Sequence, residues 1–260
     1  MLLAFVTYWK LPNLTDDDRL IQQYLQERGF EVRPTLWDDP NVDWEAFDAL
    51  VLRSMWDYFE RPDEFNIWLD KMESLHCLVL NPISIVRWNQ NKNYFDEFAR
   101  KGILLPPYVI IPGNDNQQLE KILADHQWQK AVVKPAISGG AYNTWVTTKD
   151  SAADDETRFA ELLKSGDVIV QIFVEEIITK GELSLIYFNK KFSHAILKRA
   201  KEGDFRIQTQ FGGTAEIFQP THSILRQATD LLNGVEESLL YARVDGVVTD
   251  DGRFLLMELE

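Results

Sequence analysis

The chain has one cysteine, four histidines and no apolar run long enough to span a bilayer. Cys77 cannot form an internal disulfide, and its place in the apolar run Cys77-Leu78-Val79-Leu80 suits a reducing, cytoplasmic setting. His76, His126, His194 and His222 are scattered without metal-ligand spacing, and no Ser-His-Asp or Cys-His arrangement emerges. They read as structural. Neither G-x-x-x-x-G-K-[ST] nor G-x-G-x-x-G occurs, which removes the two commonest glycine-rich phosphate loops. Positive charge is also short: 27 basic residues face 41 acidic ones, a formal charge of -14. That balance argues against nucleic acid or an anionic membrane as a partner. Met1 to Val6 are apolar but lack a basic leader, so they read as a first strand and not as a signal peptide.

What is present is a globular composition, 45% hydrophobic and 26% charged over 260 residues, enough for one large domain or two to three compact subdomains. The first third alternates strand and helix. Strands are expected near 2–8, 30–36, 48–53 and 77–80, with helices from Thr15-Asp16 to Gly29 and over 62–73. This order predicts an open, largely parallel α/β sheet with helices packed on it. A helix over 91–101 precedes Pro106-Pro107, after which the pattern shifts to α+β. Strands are expected at 107–111, 131–135, 142–148 and 168–174, with helices near 116–126 and 155–164. A hairpin through Asn189-Lys190, a helix over 221–241 and a closing hairpin complete the chain.

The closing hairpin holds the densest chemistry. Arg243-Val244-Asp245-Gly246 and Met257-Glu258-Leu259-Glu260 flank an Asp251-Gly252 pair, the strongest short-range sign of a hairpin. A two-residue turn there sets Asp245 opposite Glu258 and Arg243 opposite Glu260, with Glu258 and Glu260 on the same side as Phe254 and Leu256. Facing Cβ atoms lie about 5 Å apart, so the three carboxylates repel unless a cation sits among them. Mg²⁺ carrying substrate phosphates suits such an oxygen-only set. The same residues also suit a solvent-facing edge hairpin with ordinary surface acids, and a different loop length would shift the register.

Lys134 lies in the apolar strand Ala131-Val132-Val133-Lys134-Pro135, before Ser138-Gly139-Gly140. A strand lysine facing a glycine-bearing loop can pair with phosphate oxygens while backbone N–H groups close over them. Alone it would read as a snorkelling lysine. In order along the chain stand Asn89-Gln90-Asn91-Lys92, Val133-Lys134-Pro135, Val170-Gln171-Ile172-Phe173 with Gly181-Glu182, Asp204-Phe205-Arg206 with Phe211-Gly212-Gly213, and the acidic hairpin. This series resembles the ATP-grasp superfamily, near its glutathione synthetase-like and ribosomal-protein-modifying ligases. The likeness covers about residues 82–260.

The resemblance implies an N-terminal open-sheet domain with linking helices (1–105), a small lid (106–170) and a larger metal-binding subdomain (171–260). It implies that Lys92 and Lys134, with Ser138, Gly139 and Gly140, bind ATP phosphates. The hinge Gln171, Ile172, Phe173 and Val174 would read the adenine, and Glu182 would accept from the ribose. Arg206 would stabilise the transferring phosphate, with Lys134 as its catalytic partner, and Asp245, Glu258 and Glu260 would hold Mg²⁺, two ions in all. Glu260 departs from the asparagine of many relatives. Blander readings stand beside these: a helix-start lysine at 92, a strand-end acid at 182, and an Arg206 paired with Asp204 or Glu202. Relatives usually continue past this motif; whether a tail follows Glu260 is left open by the sequence, and such a tail would carry part of the substrate pocket.

The implied activity is an ATP- and Mg²⁺-dependent carboxylate-amine ligase working through an acyl phosphate on an amino acid, peptide or similar small substrate. An ATP-driven intramolecular cyclo-ligase and a non-catalytic ATP sensor are the alternatives. Arg53, with Trp56 and Tyr58, follows a strand whose carboxyl end is where open α/β sheets collect ligands. Arg53 either forks onto a substrate carboxylate or pairs with Asp57. Gly212 and Gly213 complete the substrate candidates. The sequence leaves the oligomeric state open; a homo-oligomer is compatible with the resemblance, since such relatives are often dimers or tetramers.

Overall fold

The computed structural model describes residues 1–207 and 211–260, which divide into two compact units. The first comprises Met1–Trp88 with Glu237–Leu240. It contains β1 (Leu2–Thr7), α1 (Asp16–Gln26), β2 (Glu31–Leu36), β3 (Ala49–Ser54), α2 (Pro62–Ser74), β4 (Val79–Leu80) and most of α3 (Ile83–Asn89). The strands form the parallel sheet β2-β1-β3-β4 expected from the alternation.

β1 is apolar from Leu2 to Val6 because both its faces are covered. Leu3 and Phe5 pack with Leu14, Val32 and Val51, while Ala4 and Val6 pack with Phe65, Trp68, Leu69 and Met72 of α2. The i, i+3, i+4, i+7 spacing of those four α2 residues is what turns one helix face onto the sheet. Thr15 caps α1 by accepting from Asp18 N at 3.1 Å, and Pro62 sits in the first turn of α2, where a missing N–H costs nothing. The expected strand at 77–80 shrinks to Val79–Leu80, and α3 had no sequence signal strong enough to mark it.

The second unit, Asn89–Glu236 with Tyr241–Glu260, holds two sheets. After α4 (Tyr94–Arg100), β5 (Tyr108–Ile111), α5 (Leu119–Asp125), β6 (Lys130–Pro135), β7 (Trp145–Thr148), α6 (Ala152–Lys164) and β8 (Val168–Ile172) build an antiparallel sheet ordered β5-β8-β6-β7. One face of it carries Ile111, Ala131, Val133, Val168 and Val170 against Leu119, Leu123, Phe159 and Leu163 of the two helices. By the period of two, the other face carries Val132, Lys134, Ile169 and Gln171. The expected strand over 142–148 begins only at Trp145, because Ala141 and Asn143 take left-handed φ values of 62° and 47° and turn the chain.

The remaining elements are α7 (Glu176–Thr179), β9 (Glu182–Phe188), β10 (Lys191–Arg199), β11 (Thr214–Phe218), α8 (His222–Asn233), β12 (Tyr241–Val248) and β13 (Phe254–Leu259), with sheet order β11-β10-β9-β12-β13. Helix α8 stops short of the expected residue 241, its last turn closed by the Gly234 N–H on Asp230 O and Leu231 O. Among the described residues no helix is long and apolar enough to cross a membrane.

The closing hairpin corrects the expected turn and keeps the expected pairing. Thr249 N donates to Arg253 O at 2.9 Å and Gly252 adopts φ 79°, so the loop has three residues, Asp250, Asp251 and Gly252. That longer loop shifts the register by one. A bulge then inserts Met257 and shifts it back, so that Asp245 faces Glu258 after all. The bulge also flips the face: Phe254, Leu256 and Leu259 are buried, and Glu258 and Glu260 lie on the opposite side of the strand from Phe254 and Leu256.

Gly246 permits the bulge. A Cβ there would overlap the Phe254 ring and sit 2.5 Å from Leu255 O, and the carbonyl cannot step aside without opening the ladder. Gly246→Ala is therefore expected to cost about 1–3 kcal/mol. A thermal melt reads this, and an unshifted midpoint would contradict the packing described.

Candidate active site

The five-stranded sheet has one greasy and one charged face. Leu183, Leu185, Val244 and Leu256 are buried on the side where Tyr187 meets Thr229 of α8. The opposite face aligns Glu182 and Ser184 of β9, Lys198 of β10, Arg243 and Asp245 of β12, and Glu258 of β13. Lys198 pairs directly across from Glu182, and Asp245 has Ser184 on one side and Glu258 on the other.

Asp245 is 2% exposed. It accepts from Ser184 Oγ at 2.5 Å and from Arg243 Nε at 2.9 Å, and Lys198 Nζ stands 3.6 Å from its Oδ2. Burial opposes its charge, but Arg243, Lys198 and the Ser184 hydroxyl more than offset it, holding the carboxyl below its usual range. Glu182, also buried, is pushed up by burial and by the neighbouring Asp245, with Lys198, 3.6 Å away, pulling the other way. Arg243 Nη1 reaches Glu260 at 2.7 Å, and the two backbones exchange hydrogen bonds of 2.6 and 2.9 Å.

The lysines arrive from the other sheet and from the turn before α4. Lys92 N donates to Ala136 O at 2.9 Å, fixing the residue against the end of β6. Its buried Nζ donates to Ser138 O at 2.8 Å and stands 3.1 Å from Glu258 Oε1. Lys134 Nζ donates to Gln171 Oε1 at 3.1 Å and lies 5.3 Å from the Phe95 ring centroid. Burial, and then the charge of Lys92, lower its ammonium from 10.5 to about 8. Gln171 is 1% exposed, and its Nε2 is a buried donor with no acceptor among the described residues.

Lys92, Lys134, Ser138, Gln171, Glu182, Asp245, Glu258 and Glu260 thus belong to one cluster. The other candidates of this unit are engaged in local contacts. Arg206 forks onto Asp204, with Nη2 at 2.8 Å from Oδ2, and stacks on Phe211, so the local ion pair is the arrangement seen. Gly212 adopts φ 85°, and a Cβ on Gly213 would strike Ile207 O, which gives both glycines a packing reason. Gly139 accepts from Tyr142 N, and Gly140 adopts φ 57° in the turn beyond Ser138. Within the hinge, Ile172 N is taken by Pro107 O and Phe173 N by Lys130 O. Val174 O accepts from Ile177 N.

In the first unit, Arg53 Nε donates to buried Asp18 at 2.7 Å rather than pairing with Asp57, which Trp37 Nε1 and Arg61 occupy. Tyr58 packs on Phe65, whereas Trp56 is exposed. Three members of the cluster carried no site assignment in the sequence: Lys198, Ser184 and Arg243. Arg243 was visible only as the neighbour of Glu260.

The donor chemistry can hold a divalent ion. Four carboxylates, all oxygen donors, crowd closely enough that Asp245 and Glu258 help to raise the proton affinity of Glu182 and Glu260, and oxygen-only sets are what Mg²⁺ takes. As the side chains stand, each of Asp245, Glu258 and Glu260 is paired with a protein cation. No set of three His, Cys, Asp or Glu among the described residues is gathered into a cage.

Comparison with known proteins agrees in direction. The family model for the N-terminal domain of the D-cycloserine synthetase DcsG matches residues 3–81. The cycloserine biosynthesis protein DcsG of Streptomyces lavendulae is 31% identical over 237 residues, covering 86% of this chain and 78% of the relative. The crystal structure of D-cycloserine synthetase DcsG superposes with a TM-score of 0.90 at 25% identity, over 100% of this chain and 91% of the other. A RimK domain protein of ATP-grasp type from Sphaerobacter thermophilus superposes at 0.74 with 15% identity, over 100% and 90%.

Proposed function

Since the chain belongs to the ATP-grasp superfamily of ligases, in the family of the cycloserine biosynthesis protein DcsG, we propose that its charged cluster binds Mg²⁺ and ATP and activates a substrate carboxylate for capture by an amine. The observation that carries this reading is the Lys92–Glu258 contact of 3.1 Å, which joins a phosphate-type lysine to the acidic hairpin in one site. Lys92 and Lys134 suit the phosphates, and Gln171 Nε2 offers a buried donor to an acceptor on the nucleotide. Glu182 suits the ribose hydroxyls. Since the N–H groups of Ile172 and Phe173 serve the sheet, the base edge falls to the other backbone groups of the hinge.

Charge supports two ions. Glu182, Asp245, Glu258 and Glu260 are balanced by Lys92, Lys134, Lys198 and Arg243. A triphosphate carries about four negative charges, so two divalent ions keep the loaded site neutral. Asp245, Glu258 and Glu260 would hold them, and bound Mg²⁺ would supply charge neutralisation at the transferring phosphate.

In the chemistry, a substrate carboxylate oxygen attacks the γ-phosphorus and ADP leaves; an amine then attacks the acyl carbon, and phosphate leaves as the amine loses a proton. The lysines hold the phosphates in line, and the buried sheet face excludes water from the acyl phosphate. The substrate is an amino acid, peptide or similar small molecule. Capture by an amine of the same molecule is the second reading, favoured by the likeness to a protein named for cycloserine synthesis. A screen for Mg²⁺-dependent ADP release on amino acid derivatives, followed by product mass, separates them. Cyclisation gives one substrate less water, ligation gives two joined. Absence of ADP release across a broad panel of amino acids, amino acid derivatives and short peptides would count against both.

Proton uptake gives a further check. Lys134 titrates near 8, and bound phosphates would favour its charged form. Affinity for Mg·ATP is therefore expected to fall as pH rises through 8, with nearly one proton taken up per nucleotide at pH about 9. Calorimetry in two buffers of different ionisation enthalpy measures it. Affinity that stays level from pH 7 to 9 would remove Lys134 from the phosphates.

A further inference from the structure

Lys198 has no part in the roles assigned so far, yet it lies on the charged face between two functional carboxylates. It faces Glu182 across β9 and β10, and its Nζ is 3.6 Å from Glu182 Oε1 and 3.6 Å from Asp245 Oδ2. Both acids are at least nine-tenths buried and come from different strands. A bare lysine stem on a solvent-facing strand would carry its ammonium outward to water. This one turns inward, and its side chain is 22% exposed.

The position is also built with some care. Counting back from the Asn189-Lys190 turn, Lys198 would face Gly181, and it is the bulge at Ser193 that moves it opposite Glu182. Gly181 next to it has φ 86°, and a Cβ there would strike Lys198 O. The backbone approaches too closely for any other residue.

Accepting that the cluster binds Mg·ATP, we infer that Lys198 is a positioning residue, a tethered cation that holds Glu182 and Asp245 in register and excludes free divalent metal from them. A divalent ion arriving alone has to displace Lys198 and Arg243 from Asp245 and Lys92 from Glu258. A nucleotide changes the terms. Its phosphates draw Lys92 away from Glu258, its ribose hydroxyls occupy Glu182, and Lys198 is left a single carboxylate to hold. Metal therefore enters with the nucleotide and not before it. Neither lysine needs to lose its proton, because the exchange is one of partners.

The test titrates Mn²⁺ alone, followed by electron paramagnetic resonance, into the wild-type protein, Lys198→Met and Lys198→Arg, each also titrated with Mg·ATP by calorimetry. Methionine keeps the apolar stem and removes the charge; arginine keeps the charge. Lys198→Met is expected to bind free Mn²⁺ at least about tenfold tighter than wild type, since affinity follows the net charge of the ligand set. Lys198→Arg is expected to follow wild type. Equal Mn²⁺ affinity in wild type and Lys198→Met overturns the inference, as does a Lys198→Met loss confined to Mg·ATP, which would make Lys198 a phosphate ligand. If Lys198→Met does not fold, tight saturable Mn²⁺ binding by the wild type is enough to overturn it. Failure of the wild type to bind Mg·ATP is a separate result, and it refutes the reading of the cluster itself.

Discussion

Asp245→Asn folds and loses turnover by about 100-fold or more, the scale set by removing one preorganised charge stabiliser from a buried site. The side chain keeps its shape and can still accept from Ser184 Oγ, but it loses its charge. Arg243 keeps Glu260 as a partner at 2.7 Å, and Lys198 keeps Glu182 at 3.6 Å, so neither half-buried cation is orphaned. The cost in stability is accordingly about 1–3 kcal/mol, below that of isolating a buried charge. ADP release and a thermal melt on the same preparation read both quantities. Full turnover in Asp245→Asn would remove the hairpin from the metal and leave its acids as a structural ion-pair network.

Lys134→Met separates function from stability in the opposite sense. Turnover and Mg·ATP affinity fall together, turnover by about 100- to 1000-fold, because a charge aimed at the transferring phosphate is gone. Stability does not fall with them. In the folded chain the Lys134 ammonium titrates near 8 against 10.5 in the open, so between those values the unfolded state binds more protons. Wild-type stability gains from this group as pH rises from about 8 to 10.5, which means that below pH 8 the charged lysine is a burden on the fold. Lys134→Met lifts the burden and flattens that part of the stability curve. A melt series across pH 7 to 10.5 shows it; a variant less stable than wild type at pH 7 would make Lys134 a structural residue.

The parts of this site that the sequence disclosed were those with local signatures. Lys134 stood out as a charge inside an apolar strand followed by Ser138-Gly139-Gly140, and the hinge strand stood out as Val168 to Val174. The acidic hairpin is legible from its Asp-Gly pair, which marks the turn but fixes neither the loop length nor the strand face. A three-residue loop and a bulge at Met257 shift the register in opposite directions, and the expected Asp245–Glu258 pairing survives because they cancel. The side of the strand did not survive. Gly246 was the available hint, since glycine inside a strand often marks a bulge.

Lys198 was hidden for the same reason. Its partner depends on the bulge at Ser193, and no residue type there announces one. Ser184 looked like any strand serine until Asp245 lay beside it. Arg206 illustrates the reverse case. Its motif suited a transfer arginine, but Asp204 is two residues away and claims it through local hydrogen bonds that need no tertiary context. In the N-terminal unit the parallel sheet was legible from its alternation, whereas the pairing of Arg53 with Asp18, 35 residues apart, was not.

The central claim is that Lys134 of one sheet, Lys92 of the turn before α4 and the acids of the other sheet form a Mg·ATP site. Calorimetric titration of the full chain with Mg·ATP at pH 7 tests it most directly. The account predicts saturable binding to a single site, lost or much weakened in Lys134→Met. Absence of saturable binding in the folded wild-type protein would contradict it.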